Sequence, residues 1–419
     1  MDSRFSFVSL FIDKGDSIIL GNKSYLKMRD QFKYWKELGF DIKINNIDPS
    51  INRFVYFYKN RFFSKSIKHC DVFEYVIVPS LANPRWLILN KKNAIKRHGL
   101  IIKPSSMTAV FVWEIAKILN YLKLFTFIFP HRIVSSFPLC NGFDLDNKLS
   151  PSILYTGAPG KYQKFTVQCV DESYAPTSFL KLANTVSGIS RIKNERVALT
   201  CLNKVNFKEI KIPLLIRGFN YKNFYGIIQE NILNMDNMSM NFSEVDELVI
   251  EDLYRNFEHQ IISTNEFLFE LKDSIDELYI GNKITLALDK ELILTVSHGD
   301  YLPWNRFNEG RVSKVIDWEM FGFRPIFYDL FYFILHESCL VKKHGAISAI
   351  NSSLEIIKRM LIRGSLPLYQ HIETIELHLL MSYVLIFSHY SKNKSDRDCI
   401  FLNEIKLGVE YLCAQQKGM

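Results

Sequence analysis

Two acids and one amide within one short stretch are the residues of this sequence best suited to chemistry. Asp300 follows an apolar run that reads as a strand, and Asn305 comes five positions later. Eleven residues then lead to Asp317, which follows a second apolar run. Carboxylate and amide oxygens are the hard ligands that Mg²⁺ prefers, and a carboxylate can accept or orient the proton of a hydroxyl. The pattern therefore predicts a site for magnesium and one reacting hydroxyl.

The residues around these three form a longer motif. The chain reads HGDYLPWN over 298–305 and IDWE over 316–319, and the run YDL follows at 328–330. This combination resembles the catalytic segment of the aminoglycoside phosphotransferase and choline kinase family, relatives of the protein kinases. The resemblance implies an α+β, bilobal, protein-kinase-like fold with an antiparallel five-stranded small lobe and a mainly helical large lobe. It also implies ATP and Mg²⁺ as cofactors.

Phosphoryl transfer requires that the acceptor oxygen be held in line and that the charge on the γ-phosphate be neutralised. Asp300 is the candidate catalytic residue, which would accept or orient the proton of the acceptor hydroxyl. Asn305 and Asp317 are the candidate metal ligands, completed by the nucleotide phosphates. The long activation segment and APE motif of protein kinases do not follow, which favours a small-molecule or glycan acceptor.

Neighbouring residues are expected to support this site. His298 would hold the catalytic loop by hydrogen bonds, and Pro303 and Trp304 would stiffen the loop between Asp300 and Asn305. Glu319 would assist the metal through water, and Asp329 would cap or anchor the helix that follows. The roles expected for His298 and Asp329 are therefore structural.

Upstream, a turn and a lysine–glutamate pair are candidates for nucleotide binding. Gly157 and Gly160 lie between two strand-like runs, short of a GxGxxG loop, so an ordinary hairpin is an equal alternative. Lys181 stands among apolar residues, an unfavourable place for an ammonium group unless an anion meets it. Glu195, fourteen residues later in a helix-like run, is the predicted partner, and the pair would position the α- and β-phosphates. The alternatives are an edge-strand lysine and a solvated helix face.

The segment 229–232 is expected to connect the two lobes. The backbone groups of Glu230 and Ile232 would pair with adenine, as the resemblance implies. The predicted domains are an α/β extension (1–145), the small lobe (146–232) and the helical large lobe (233–419). The five strands expected in the small lobe are 153–157, 164–170, 178–183, 210–216 and 224–228.

Two further segments allow two interpretations each. The apolar segment 108–129 could be an amphipathic helix that contacts a membrane or partner, or a helix packed on the protein's own core. The acidic segment 236–258 could receive a cationic substrate, or could be the solvated face of an amphipathic helix. The second interpretation is favoured in each case.

Composition excludes several classes of protein. Hydrophobic residues make up 48% and charged residues 23%, which are ordinary globular values. The net charge of +8 is dispersed, so nucleic-acid binding is not expected. Seven cysteines without CxxC spacing favour neither a disulfide framework nor a zinc site, and they fit a reducing cytoplasm. Neither a signal peptide nor a membrane span is recognisable.

These observations predict an ATP- and Mg²⁺-dependent phosphotransferase acting on a hydroxyl. The acceptor would be a small molecule or a sugar of a surface glycan or lipid precursor. The glycan interpretation rests on the run VPSLANPRW (78–86), which resembles N-terminal extensions found with this kinase type in bacterial surface-polysaccharide clusters, and on the segment 108–129. The alternatives are a catalytically inactive pseudokinase that binds nucleotide, and an aminoglycoside or amino-alcohol kinase. The expected location is the cytoplasm, with peripheral membrane contact through 108–129 as an option.

Overall fold

The computed structural model describes residues 17–20, 36, 41–44, 54–59, 73–80, 83–89, 111, 115, 118, 129–135, 150–157, 160–172, 175–233, 239–272, 278, 290–363, 375–391 and 398–416. The chain forms two compact units. Unit 1 comprises Met1–Arg196 and Leu214–Asn231, and unit 2 comprises Val197–Pro213 and Ile232–Met419.

One eleven-stranded sheet runs through unit 1. Its strands are β1 (Ser17–Leu20), β2 (Asp41–Ile44), β3 (Phe54–Lys59), β4 (Phe73–Ser80), β5 (Asn83–Leu89), β6 (His131–Ser135), β7 (Ser150–Tyr155), β8 (Phe165–Val170), β9 (Pro176–Ala183), β11 (Leu215–Tyr221) and β12 (Phe224–Glu230). Their order is β11-β12-β9-β8-β7-β5-β4-β6-β3-β1-β2. Among the described strand pairs of this sheet, the pairs β1–β2 and β1–β3 are parallel and the others are antiparallel. Helix α1 (Val186–Leu202) follows β9.

The structure groups the predicted extension and the predicted small lobe in one sheet. The five strands β7, β8, β9, β12 and β11 are antiparallel neighbours in that order. Strand β5 extends this set because Trp86, Leu87 and Ile88 lie opposite Tyr155, Leu154 and Ile153. Residues on both sides of the predicted boundary at 145 therefore belong to unit 1, and the predicted boundary at 232 lies one residue beyond its end.

The fourth predicted strand, 210–216, is corrected by the structure. The part of that range before Leu215 contains one short strand, Ile210–Lys211 (β10). It pairs with β16 (Val312–Val315), and both strands belong to unit 2. The fourth strand of the antiparallel set is Leu215–Tyr221 instead. Pro213 separates the two pieces, and since proline has no backbone N–H it cannot continue a ladder of hydrogen bonds.

Unit 2 consists of helices and two small sheets. The helices are α2 (Glu244–Asn256), α3 (Thr264–Phe269), α4 (Tyr328–His336), α5 (Gly345–Ile362), α6 (Ile375–Ser391) and α7 (Asp398–Gln416). The sheets are β10-β16-β15 and β13-β14-β17, with β13 (Gln260–Ser263), β14 (Glu291–Ser297), β15 (Arg306–Glu309), β16 (Val312–Val315) and β17 (Gly322–Pro325). All nine residues of α4 are buried, including the polar residues Asp329, Tyr332 and His336. The α+β class predicted from the sequence is confirmed.

Where the structure describes the acidic segment, most acids of α2 are buried and do not form a solvated face. Four acids of α2 are buried: Asp246, Glu247, Glu251 and Asp252. The Asp246 carboxylate lies 2.9 Å from Arg306 Nε, and Glu247 contacts Arg359 and Arg363. Asp252 accepts the N–H groups of Lys208 and Glu209, both at 2.8 Å. The protein's own donors thus already satisfy these carboxylates, because burial without such partners would be costly.

Most of the predicted helix 108–129 lies outside the described residues. Where the structure describes the chain, no helix is long and apolar enough to cross a membrane.

Candidate active site

The catalytic turn begins where β14 ends. Six of the seven residues of β14 are buried, and the strand is flanked by β13 and β17 in its sheet. After Ser297 the chain turns through His298 and Gly299 to Asp300. Gly299 has φ of +84°, and a Cβ there would lie 2.4 Å from the Met320 carbonyl oxygen and 2.6 Å from the Arg324 side chain. The turn therefore needs glycine for its backbone conformation and for its close approach to the segment after Asp317.

We expect Gly299→Ala to lower the free energy of unfolding by about 3 kcal/mol, because a backbone strain of about 1–2 kcal/mol adds to an overlap that must displace backbone. Gly310→Ala is the matched control, since Gly310 has φ of +65° and open space around the added carbon. That control should lose only the backbone part, about 1 kcal/mol. Urea unfolding of both variants measures the difference. Equal losses would mean that the approach to Met320 is unimportant.

Asp329 fixes the backbone of the turn. Its Oδ2 accepts the His298 N–H at 2.7 Å, and its Oδ1 accepts the Gly299 N–H at 2.9 Å. Asp329 lies in the first turn of α4 and is buried. The prediction that it anchors this helix is thus refined, since its carboxylate ties the helix start to the catalytic turn.

His298 links the two loops that carry the acids. The Asp300 N–H donates to His298 Nδ1 at 3.2 Å, so the other ring nitrogen carries the proton and donates to the Ile316 carbonyl at 2.9 Å. Burial lowers the pKa of His298, which keeps the ring neutral. The ring also packs on Trp318, with 4.6 Å between centroids. His298 is therefore placed to hold the catalytic loop by hydrogen bonds.

The Asp300 carboxylate lies beside two other acids and one amide. Asn305 Nδ2 donates to the Asp300 carbonyl at 2.8 Å and to its Oδ2 at 3.0 Å. The pKa of Asp300 is raised to about 7, chiefly by burial and then by the charges of Asp317 and Glu319. A carboxyl group with a pKa near neutrality is suited to taking a proton from a hydroxyl. The structure thus brings together the candidate catalytic residue and its predicted neighbours.

Asn305 and Asp317 supply the two types of oxygen, amide and carboxylate, that a magnesium site would need. Since both contacts of the Asn305 amide nitrogen go to Asp300, its carbonyl oxygen faces away from that residue. Asp317 stands after β16 with φ of 66° and ψ of 53°, a left-handed conformation. Within the described residues, no group of three or more His, Cys, Asp or Glu side chains could hold a metal alone. This set fits Mg²⁺ because that ion takes one or two protein carboxylates together with water and substrate phosphates.

Lys181 and Glu195 meet in unit 1. Lys181 lies in β9, between β8 and β12, and is 7% exposed. Its Nζ is 2.5 Å from Glu195 Oε1, and Glu195 in α1 is fully buried. The alternatives of an edge-strand lysine and a solvated glutamate are therefore excluded. The pair is formed, and its role in nucleotide binding stays a prediction.

The turn that contains Gly157 and Gly160 is tightly packed at its first glycine and open at its second. Gly157 has φ of +67°, and a Cβ there would lie 2.2 Å from the Lys164 carbonyl oxygen, whereas Gly160, with φ of +140°, has open space around it. The Glu230 N–H donates to the Leu214 carbonyl at 2.9 Å, so this group is not available to a base. Ile232 is buried.

Sequence reasoning missed one contact of Asp300. The Tyr332 hydroxyl donates to Asp300 Oδ1 at 3.3 Å. The one signal in the sequence for this contact is that Tyr332 comes three residues after Asp329. Of the two residues expected to stiffen the loop, Pro303 is buried and Trp304 is 41% exposed.

Comparisons with known proteins agree with the motif. Residues 251–342 match the family model APH, described as the phosphotransferase enzyme family. No curated protein matches the chain. Among solved structures, aminoglycoside 2'-phosphotransferase-IIIa with GDP is 13% identical, with coverage of 71% of this chain and 98% of that chain and a TM-score of 0.40. A choline/ethanolamine kinase family protein from Mesorhizobium loti is also 13% identical, with coverage of 67% and 90% and a TM-score of 0.37. The resemblance predicted from the HGD…N…IDWE motif is thus confirmed over residues 251–342, which are similar to the phosphotransferase enzyme family.

Proposed function

We propose that the protein is a phosphotransferase that moves the γ-phosphate of ATP to a hydroxyl group of a small molecule or of a sugar in a glycan or lipid precursor. The observation that carries this proposal is the surroundings of Asp300. Its carboxylate has a pKa near neutrality, accepts hydrogen bonds from Asn305 and Tyr332, and lies near the charge of Asp317. All of these residues lie in the segment that matches the phosphotransferase family.

Each residue has a distinct role in this reaction. Asp300 accepts or orients the proton of the acceptor hydroxyl, which raises the nucleophilicity of the oxygen. Asn305 and Asp317 would hold Mg²⁺, which when bound would neutralise charge on the phosphates. His298 and Asp329 keep the turn in place while the proton moves.

The nucleotide is proposed to use residues of the first half of the chain. Lys181, positioned by Glu195, contacts the α- and β-phosphates. The turn with Gly157 and Gly160 supplies backbone N–H groups to phosphate, and the backbone of Glu230 and Ile232 pairs with the base. The occupied N–H of Glu230 leaves its carbonyl as the group for that contact.

The structure of α2 bears on the class of acceptor. Its four buried carboxylates already have partners within the protein, so they offer no open anionic surface to a cationic acceptor. This supports an uncharged hydroxyl acceptor, such as a sugar, over an aminoglycoside or amino alcohol.

The test is a screen of ATP consumption with Mg²⁺ against sugars, lipid-linked saccharides, amino alcohols and aminoglycosides. The proposal expects turnover with a hydroxyl acceptor and loss of turnover in Asp300→Asn. If the protein binds ATP and Mg²⁺ but no acceptor gives turnover that depends on Asp300, it is a nucleotide-binding pseudokinase.

Lys181→Met is expected to raise the KM for ATP at least tenfold and to lower the free energy of unfolding by about 3 kcal/mol, since it leaves the buried Glu195 carboxylate without its ammonium partner. The double variant Lys181→Met with Glu195→Leu is the matched control. It should recover most of the stability, because no unpaired charge remains, and keep the high KM. Recovery of ATP affinity in the double variant would contradict a phosphate-binding role for Lys181.

A further inference from the structure

A chain of hydrogen bonds leads from Asp300 into the helical part of unit 2. The Tyr332 hydroxyl contacts Asp300 Oδ1 at 3.3 Å and the Tyr390 hydroxyl at 3.0 Å. The Tyr390 hydroxyl in turn contacts His336 Nε2 at 2.9 Å. The proposed function gives none of these three side chains a role in the reaction, and the sequence motif does not include them.

The ionised form of Asp300 gives the whole chain one direction. A carboxylate only accepts, so the single proton of the Tyr332 hydroxyl points to Asp300. The Tyr390 hydroxyl must then donate to Tyr332, and His336 Nε2–H must donate to Tyr390. Burial lowers the pKa of His336 to about 3 and raises that of Tyr332 well above its ordinary value, so both groups remain neutral. Every donor in the chain thus points towards Asp300.

Helix α4 is spaced to hold the catalytic loop at two points. Asp329 and Tyr332 are three positions apart, and His336 comes four positions later, so the three lie along one face of the helix. Asp329 holds the backbone of the turn, and Tyr332 holds the side chain of Asp300. The same helix therefore fixes both the position of the loop and the plane of the carboxylate.

Aromatic rings surround the chain of hydroxyls. Tyr328 stacks on Tyr332 at 5.8 Å between centroids, and Phe401 packs on His336 at 4.5 Å and on Tyr390 at 5.0 Å. Tyr332 is 5% exposed and His336 8%. Hydrogen bonds in such an environment are stronger than in water and polarise one another.

We propose that Tyr332 is a positioning residue for phosphoryl transfer, and that the Tyr390–His336 pair behind it sets the direction in which its hydroxyl donates. The inference rests on the proposed function. Asn305 Nδ2 holds Asp300 Oδ2 and Tyr332 holds Oδ1, so the carboxylate has one orientation towards the acceptor oxygen. The 3.3 Å bond is long for a hydroxyl donor, and such bonds commonly shorten when the reacting complex forms.

Tyr332→Phe removes one oxygen and keeps the ring. We expect kcat to fall about tenfold with the KM values for ATP and acceptor within about twofold, because a hydrogen bond to a charged group contributes on the order of one tenfold step. Tyr390→Phe should lower kcat about threefold, and the double variant should resemble Tyr332→Phe alone, since the second hydroxyl acts through the first. Additive effects in the double variant would contradict the chain.

Tyr328→Phe is the matched control. This tyrosine is buried one turn earlier on α4 and lies against Arg324, and its hydroxyl is not part of the chain. Its variant should keep kcat within about twofold of the wild type. An unchanged kcat in Tyr332→Phe, or an equal fall in both variants, would overturn the proposal.

A second measurement separates this inference from the proposed function. The shifts in Tm of Asp300→Ala, Tyr332→Phe and their double variant form a cycle that needs no acceptor. A shift in the double variant that differs from the sum of the single shifts supports the hydrogen bond even if no turnover is found, in which case only the proposed function fails. Additive shifts would overturn the role of Tyr332, whether or not the protein is a kinase.

Discussion

Asp300→Asn is expected to lower kcat for phosphoryl transfer by about 10³-fold, because the amide keeps the size of the side chain but cannot take the proton of the acceptor hydroxyl. The Asn305 amide can still donate to the carbonyl oxygen of the new side chain, so the loop should keep its conformation. The KM for ATP should therefore stay within about twofold. Initial rates at saturating ATP measure the fall in kcat.

The control for this variant is Glu266→Gln, which makes the same chemical change on an exposed face of α3. It should keep the wild-type rate. A fall in kcat of less than about tenfold in Asp300→Asn would mean that proton acceptance by Asp300 is not part of the transfer step.

Asp300→Asn should also change the dependence of stability on pH in protein freed of divalent ions. The pKa of Asp300 rises from 3.8 to about 7 on folding, so the folded state binds this proton more tightly than the unfolded state. Stability is thus lost as the pH rises from about 4 to 7. The upper bound on this loss is about 4 kcal/mol. The actual loss is smaller, because Asp300 is partly exposed. The variant should melt roughly 2–5 °C above the wild type at pH 8 and at a similar temperature at pH 4. A lower Tm at pH 8 would contradict the raised pKa.

The sequence predicted those parts of the site that depend on spacing along one segment. Asp300, Asn305 and Asp317 lie within a short stretch, and the apolar runs before the two acids become β14 and β16. Lys181 and Glu195 could also be paired, because a lysine among apolar residues needs an anion, and the next helix carries one.

Contacts between distant parts of the chain were beyond such reasoning. Tyr390 meets Tyr332 across 58 residues, and Arg359 reaches Glu247 across 112. The periodicity of α2 predicted a helix with a solvated acidic face, but four of its five acids are buried. Arg306, Arg359 and Arg363 supply matching charges to two of them, Asp246 and Glu247. The continuous sheet in unit 1 was missed for a similar reason, since strand partners are chosen by long-range packing that periodicity does not record.

Asp317→Asn is expected to lower kcat by about 10³-fold and to raise the Mg²⁺ concentration needed for half-maximal rate about tenfold, because Mg²⁺ loses the one anionic ligand proposed on this loop. The substitution suits the backbone, since asparagine tolerates the left-handed conformation at φ of 66°. Any loss of activity therefore reports the charge and not the fold.

Asp317→Ala gives the comparison, since alanine both loses the ligand and strains the backbone by about 1–2 kcal/mol. The two variants should be equally inactive, and only the alanine variant should lose that stability in urea unfolding. Asp317 is also one of the charges that raise the pKa of Asp300. Its removal should shift the pH-dependent loss of stability to lower pH in metal-free protein. If Asp317→Asn keeps the wild-type requirement for Mg²⁺, the metal ligand lies elsewhere, and the second acid of the motif acts only through the pKa of the first.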